Sequence, residues 1–192
     1  MDHIGLKNLS GKVRAYRVTD DKWFSTTQVK PNLVLYEWAN IVSKLLTQGD
    51  ARYRIGGMYL EFENVASPGD TVTPPTFNRT RTVAYYNSLS SSATRDYLRV
   101  PLTATQVLSS GAGLTNNELV FFARSSGTTG VHGKAFSYAA NSVIFGASLV
   151  AYVDATDASQ DLLFSSFYFD PADQQQKLAT SQVGLEWDLT LE

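Results

Sequence analysis

At 192 residues and 21.1 kDa the chain has the length of one domain, and at that size about 70% of the extended-chain surface is buried on folding, so a core forms without staples. A formal net charge of -2 and a pI near 5.7 give no field for gathering nucleic acid or anionic lipid, while 18% charged and 12% aromatic residues describe an uncharged, aromatic chain typical of β-sandwiches and of proteins whose surfaces are partly occupied by neighbours. Cysteine is absent, which excludes disulfides, thiolate metal sites and a thiol nucleophile together.

Residues 1–11 read as an amino-terminal arm with Ile4 and Leu6 as its apolar contacts. They hold no apolar run of the about 7–15 residues that a secretory signal requires, and no later segment approaches the ~20 apolar residues of a membrane span, so the expectation is a soluble protein without an export signal of its own. Lys12 to Val18 and Trp23 to Val29 read as strands joined by the turn Thr19-Asp20-Asp21.

The period then changes. Val34, Trp38, Ile41 and Leu45 recur at helical spacing, with Leu35, Ala39, Val42 and Leu46 one step round, and Glu37, Asn40, Lys44 and Thr47 on the other side. With Pro31 at the entrance and Gly49 just past the end, the spacing predicts a helix over 32–48. A lone amphipathic helix must press its stripe on the sheet or on another subunit, which makes Trp38 and Leu45 contact candidates.

Tyr53 to Asn64 alternates as a strand, Met58, Leu60 and Phe62 on one face and Tyr59 and Glu61 on the other; Gly56-Gly57 implies a bulge or a close backbone approach, for which the helix is the candidate. Ala66 to Asn78 reads as a long exposed loop, a contact arm offering Val72, Pro74, Pro75 and Phe77. Arg79 to Tyr86 and Arg95 to Ala104 read as strands, the second an edge strand or one ending in a bulge because Pro101 cannot donate to a ladder. Ser88 to Ser92 and Ser109 to Gly113 are connections, and Glu118 to Ala123 is a strand buried on both sides. Arg124 to Lys134 is a small-residue loop, followed by strands over Ser142 to Val153 and Leu162 to Phe169. In the closing strand Val183, Leu185, Trp187, Leu189 and Leu191 alternate with Gln182, Gly184, Glu186, Asp188 and Thr190. About nine or ten short strands at this spacing predict a single all-β domain over 1–192, a sandwich of jelly-roll kind with one helix.

The chemistry-bearing residues do not converge. The two histidines, His3 and His132, make no metal pair within one ordered segment. Gly127 to Ala135 approaches a phosphate loop, but Thr128 stands where the first glycine belongs and Ala135 replaces the metal-binding hydroxyl. Asp154, Asp157 and Asp161 could offer oxygens to calcium, yet without the spacing of a calcium loop; a solvated turn is the plainer reading. Glu61, Asp96, Glu118, Glu186 and Asp188 are available for acid–base chemistry, and nothing in their spacing selects a pair. No nucleophile elbow accompanies His132. Asn78-Arg79-Thr80 matches a glycosylation sequon, and Arg79-Thr80-Arg81 could touch phosphate. Tyr85-Tyr86 and Phe167-Tyr168-Phe169 could stack on sugar rings or, more simply, alternate between core and cross-strand packing.

The helix LVLYEWANIVSKLL leading through a glycine turn into RYRIGGMYLEFEN resembles the opening of tailed-bacteriophage virion proteins, and the block from Gly130 to Asp170 with the closing QVGLEWDLTLE is similar to tail- or neck-associated structural proteins of phages. The resemblance implies a non-enzymatic subunit, with no catalytic residue, cofactor or metal, in a symmetric ring or a fibre attachment within the virion. Its partners would be other virion proteins and copies of itself, with no membrane, specific nucleic acid or small-molecule substrate. A carbohydrate-binding module for host glycans is the alternative, and a glycan hydrolase a third class.

Overall fold

The computed structural model describes residues 9–19, 22–25, 30–31, 33–76, 78–109, 117–125, 127–136, 141–152, 154, 156–177 and 182–191. They are mostly β, with two short helices. The strands are β1 (Leu9–Thr19), β2 (Lys22–Ser25), β3 (Lys30–Pro31), β4 (Leu33–Val34), β5 (Ile55–Val65), β6 (Arg95–Ser109), β7 (Asn117–Arg124), β8 (Asn141–Ala151), β9 (Leu162–Tyr168), β10 (Gln175–Lys177) and β11 (Gln182–Leu191), and the helices are α1 (Glu37–Gln48) and α2 (Val83–Ser88). Their pairings are antiparallel and build one curled sheet in the order β2-β1-β11-β7-β6-β5-β8-β9-β4, with β3 beside β1 and β10 beside β8.

Strand β6 makes the curl. Its first half, Arg95 to Pro101, pairs with β5, and its second half, from Leu102, pairs with β7 across a register shift between Leu102 and Ala104. A bulge bends and twists a strand, so the two halves of the sheet turn towards each other here. Pro101 therefore stands beside a bulge in a central strand: of the two placements expected for it, the bulge is found and the edge is not.

The concave face holds the main core. Met58, Leu60 and Phe62 of β5 meet Leu98 and Val100 of β6, Leu149 of β8, Phe167 of β9 and, from the other half, Phe121, Leu185 and Trp187. Along β11 the alternation is as expected, with Val183, Leu185, Trp187 and Leu189 buried while Glu186 and Asp188 stay half-exposed. The convex side of β5, β6, β8 and β9 is covered as well. Tyr59, Tyr97, Val150 and Leu163 form a second cluster there with Leu35, Tyr86 and Leu89.

Several expectations change. Helix α1 begins at Glu37, because Leu33 and Val34 are drawn into β4 opposite Ser166 and Ser165, and Pro31 pairs with Lys12 in a strand. Gly49 takes the left-handed conformation, φ 61°, and its N–H bonds to the Leu45 carbonyl, as its position after the helix implied. The segment read as a strand at Arg79 to Tyr86 contains α2, capped by the Thr82 side chain on the Ala84 N–H. A strand would send Tyr85 and Tyr86 to opposite faces, whereas the helical turn lets both hydroxyls reach the sheet. Residues 9–11, the end of the expected arm, are already strand opposite Leu191 to Leu189. Gly56 and Gly57 do mark a register shift, but the group that closes over them is the Tyr152 ring and not the helix.

Candidate functional site

Three polar clusters carry whatever chemistry the described residues have, and two of them lie on the convex side of β5 and β6. Register aligns Tyr97, Glu61 and Gly146 in one row, and Arg99, Tyr59, Ser148 and Ser166 in the next. In the first row Glu61 is fully enclosed. Its Oε1 accepts a hydrogen bond from the Tyr85 hydroxyl of α2, and its Oε2 lies 3.9 Å from Arg81 Nη1 with no hydrogen-bond partner among the described residues. Arg81 donates to the Tyr168 hydroxyl, and its guanidinium lies 3.9 Å from the Tyr85 ring centroid and 5.2 Å from that of Tyr168. Burial pushes the Glu61 carboxyl up to about 7, against the opposing pull of Tyr85, Arg81 and Arg95. Arg81, expected to be able to touch phosphate, is buried in this cluster.

In the second row Asp161 is the enclosed acid. Arg99 holds it through two hydrogen bonds of 2.8 and 2.7 Å, and the Tyr59 hydroxyl donates to it as well. Tyr152 lies under the guanidinium, 3.9 Å from its ring centroid. Asp154 and Asp157, grouped with Asp161 in the sequence, point elsewhere: Asp154 Oδ1 accepts from the Thr156 and Asp157 N–H groups, and Asp157 Oδ1 from Ser159. Those bonds hold both carboxyls below the usual range, Asp154 chiefly through the Thr156 N–H and Asp157 chiefly through the Ser159 hydroxyl. Among the described residues no three His, Asp or Glu side chains gather as a metal would need.

The third cluster explains the glycine-rich loop. Asp96, fully enclosed, accepts the N–H groups of Tyr97, His132 and Lys134 and faces His132 Nδ1 at 3.0 Å. Successive N–H groups in a tight loop form an anion-binding concavity. Here the anion is the protein's own carboxylate. A Cβ on Gly130 would overlap that carboxylate, which is why the position is glycine. Between this loop and β6 lies a groove of about 190 Å³ lined by Leu98 to Pro101 with Gly127, Thr129 and Val131.

The remaining candidates fall in different places. Glu186 accepts the Tyr16 hydroxyl at 2.8 Å and Asp188 is half-buried beside it on β11; the Glu118 side chain lies outside the described residues. Tyr86, Phe167 and Phe169 are buried, and Tyr85 and Tyr168 turn their hydroxyls inward, so these rings are committed to the protein's own packing. Ile4, Leu6 and Phe77 lie outside the described residues. Trp38 and Leu45 pack on the main core with part of their surface open, and Pro74 and Pro75 are half-buried. Val72 is corrected from loop contact to core: it is 4% exposed against Val143 and Phe145, and the Gln174 amide bonds both its N–H and its carbonyl, at 2.8 and 2.7 Å. Among the described residues the large apolar side chains most open to solvent are Leu46, 81% exposed, and Tyr36, 63% exposed. Leu46 lay within the helical pattern, but at its margin, where spacing alone does not separate core from surface. The Glu61–Arg81 and Arg99–Asp161 associations had no local signal, because their members are far apart in the chain.

Among the described residues no helix is long and apolar enough to cross a membrane. No protein-family model matches the chain, and neither a curated protein nor a solved structure matches it.

Proposed function

We propose that the chain is a non-enzymatic virion subunit of a tailed bacteriophage, placed at the tail, neck or fibre-attachment site, whose curled sheet acts as a β-sandwich of jelly-roll type and which assembles with copies of itself and with other particle proteins. The observation that carries this reading is the open flank of α1. Ala39, Val42 and Leu46 share one side of the helix by their spacing; Ala39 and Leu46 are exposed and Val42 half-exposed, while Trp38, Ile41 and Leu45 take the core-facing side. A single open leucine carries no such weight, but Leu46 continues the open side of Ala39 and Val42, and an open apolar strip of this kind suits contact with a neighbouring protein.

Two further features support it. The enclosed acids Asp96 and Asp161 are each bound by several donors of their own chain, which suits a scaffold. Leu9, Ser109, Asn117 and Leu191 lie at one rim of the sheet through their mutual register, so the segment carrying Ile4 and Leu6 joins β1 at that rim, beside the end of β11. An arm in that place could dock on an adjoining subunit.

The test is the solution mass by light scattering, alone and with the other particle proteins, for the wild type and for Leu46→Lys. Association that the substitution weakens at unchanged melting temperature is the expected result. A strict monomer that joins no particle protein, or association indifferent to Leu46→Lys, overturns the placement on α1; glycan binding by such a monomer points to the carbohydrate module instead.

A further inference from the structure

Strand β7 pairs with β6 only from Leu102 on, and before that point the flank of β6 is met by the glycine-rich loop instead, with the Val131 N–H on the Tyr97 carbonyl at 2.9 Å. Between the two lies the groove of about 190 Å³. A Cβ on Gly127 would stand 3.4 Å from Leu98 Cδ2, so glycine at this position leaves the leucine bare within the groove. Val131 lines it with 43% of its surface exposed; among the described residues the other large apolar side chains left so open are Tyr36 and Leu46. We propose that this groove receives the Leu46 side chain of a second copy of the chain. The inference rests on the assembly reading above and names the surface that α1 meets.

Size and charge select the occupant. The groove is smaller than the about 300–1,000 Å³ of small-molecule pockets, and a whole helix, about 10–12 Å across, cannot enter it, whereas one projecting side chain can. Its lining is apolar at Leu98, Val100, Pro101 and Val131 and uncharged at Gly127 and Thr129, and the guanidinium of Arg99 is held by Asp161 over the Tyr152 ring. On the other side of the contact, Ala39, Asn40, Ser43 and Thr47 are the exposed neighbours of Leu46 on α1, and none is charged. Joining the two surfaces takes an apolar side chain out of water and desolvates no charge, while an acidic or basic partner finds nothing to pair with on either.

The groove is also formed in advance. Val131 sits between residues that are anchored, since Asp96 accepts the N–H groups of His132 and Lys134, so little ordering opposes entry. The chain does not fill the groove with its own leucine. Helix α1 lies on β9, where Glu37 accepts the Leu163 N–H, three strands from β6 in the order β6-β5-β8-β9 and about 14 Å away at ordinary strand spacing, and Leu46 is 81% exposed. A projecting side chain on one face and a matching hole on another join copies of a chain to each other.

Light scattering of Leu46→Lys and Val131→Lys, each alone and the two mixed, tests this. Each alone is expected to self-associate about tenfold more weakly than the wild type, and the mixture to recover dimers, because one variant keeps the groove and the other keeps the leucine. Val131→Lys that associates like the wild type, or a mixture that stays dissociated, overturns the groove as the receiver and leaves α1 as an assembly surface. A wild type that is monomeric alone yet joins another particle protein overturns the inference and not the assembly reading; one that joins nothing overturns both. Should Val131→Lys melt earlier than the wild type, a disulfide decides, since the chain has no cysteine of its own. Oxidation of Leu46→Cys mixed with Val131→Cys is expected to link the two variants to each other, and failure to form that mixed dimer overturns the contact.

Discussion

Arg99 closes on Asp161 through two parallel hydrogen bonds, Nε to Oδ2 at 2.8 Å and Nη2 to Oδ1 at 2.7 Å, and so ties β6 to the turn that leads into β9. A planar guanidinium matches a carboxylate in this way, whereas an ammonium cannot occupy both sites. Asp161→Ala removes the counter-charge of Arg99 and the nearer acceptor of the Tyr59 hydroxyl, leaving them the Asp154 and Ala158 carbonyls, so a loss on the order of 2–3 kcal/mol is expected, with about 1–2 kcal/mol for Arg99→Lys. Urea unfolding midpoints measure both. A cost under about 1 kcal/mol for Asp161→Ala would show that the pair does not hold these elements together.

Gly57 is required by what stands over it. A Cβ there would overlap the Tyr152 ring and hydroxyl and would come within 2.5 Å of the Val100 carbonyl. Gly57→Ala is expected to destabilise by about 2–3 kcal/mol. Adding Tyr152→Ala relieves the ring but not the backbone carbonyl, so the double variant should stay below Tyr152→Ala alone. Equality between those two would assign the whole constraint to the ring.

Lys177 is buried on β10, its Nζ 4.5 Å from the Phe136 ring centroid, and burial holds its ammonium down at about 8. The unfolded chain keeps this proton up to about 10.5, so it binds more protons than the folded one between the two values, and stability rises with pH across that window. Below pH 8 the ammonium is charged in both states and its contribution no longer changes with pH. Measured against the wild type, Lys177→Met is therefore expected to fare better at pH 7 than at pH 10, because the cost of burying the ammonium fades as the folded wild type loses that proton. Thermal melts of both proteins at matched pH check this, and a difference that does not change with pH would assign it to packing.

The elements legible in the sequence are those whose signal is local and repeated. The alternation from Val183 to Leu189 buries one side of β11, and Gly49 ends α1 in the left-handed conformation that glycine adopts more readily than any other residue. Val83 to Tyr86 misled, because a short apolar and aromatic run has no period long enough to choose between helix and strand, and the choice fell to the hydroxyl partners Glu61 and Ser148. Gly127 to Ala135 fails the phosphate-loop pattern and reads as a small-residue loop, and nothing in its own residues announces that its N–H groups close on Asp96, which only the fold brings there.

By itself, then, the sequence determined composition, the strand-rich class, the closing strand and the end of the first helix, all of which follow from side-chain period and backbone preference over a few residues. Tertiary structure decided which faces are covered. Tyr59 and Glu61 share the polar-looking side of an alternating strand, yet both are enclosed, because α2 and the turn before β9 fold over them. The charge that Glu61 carries depends on that cover, since desolvation is set by atoms distant in the chain. No local pattern encodes it.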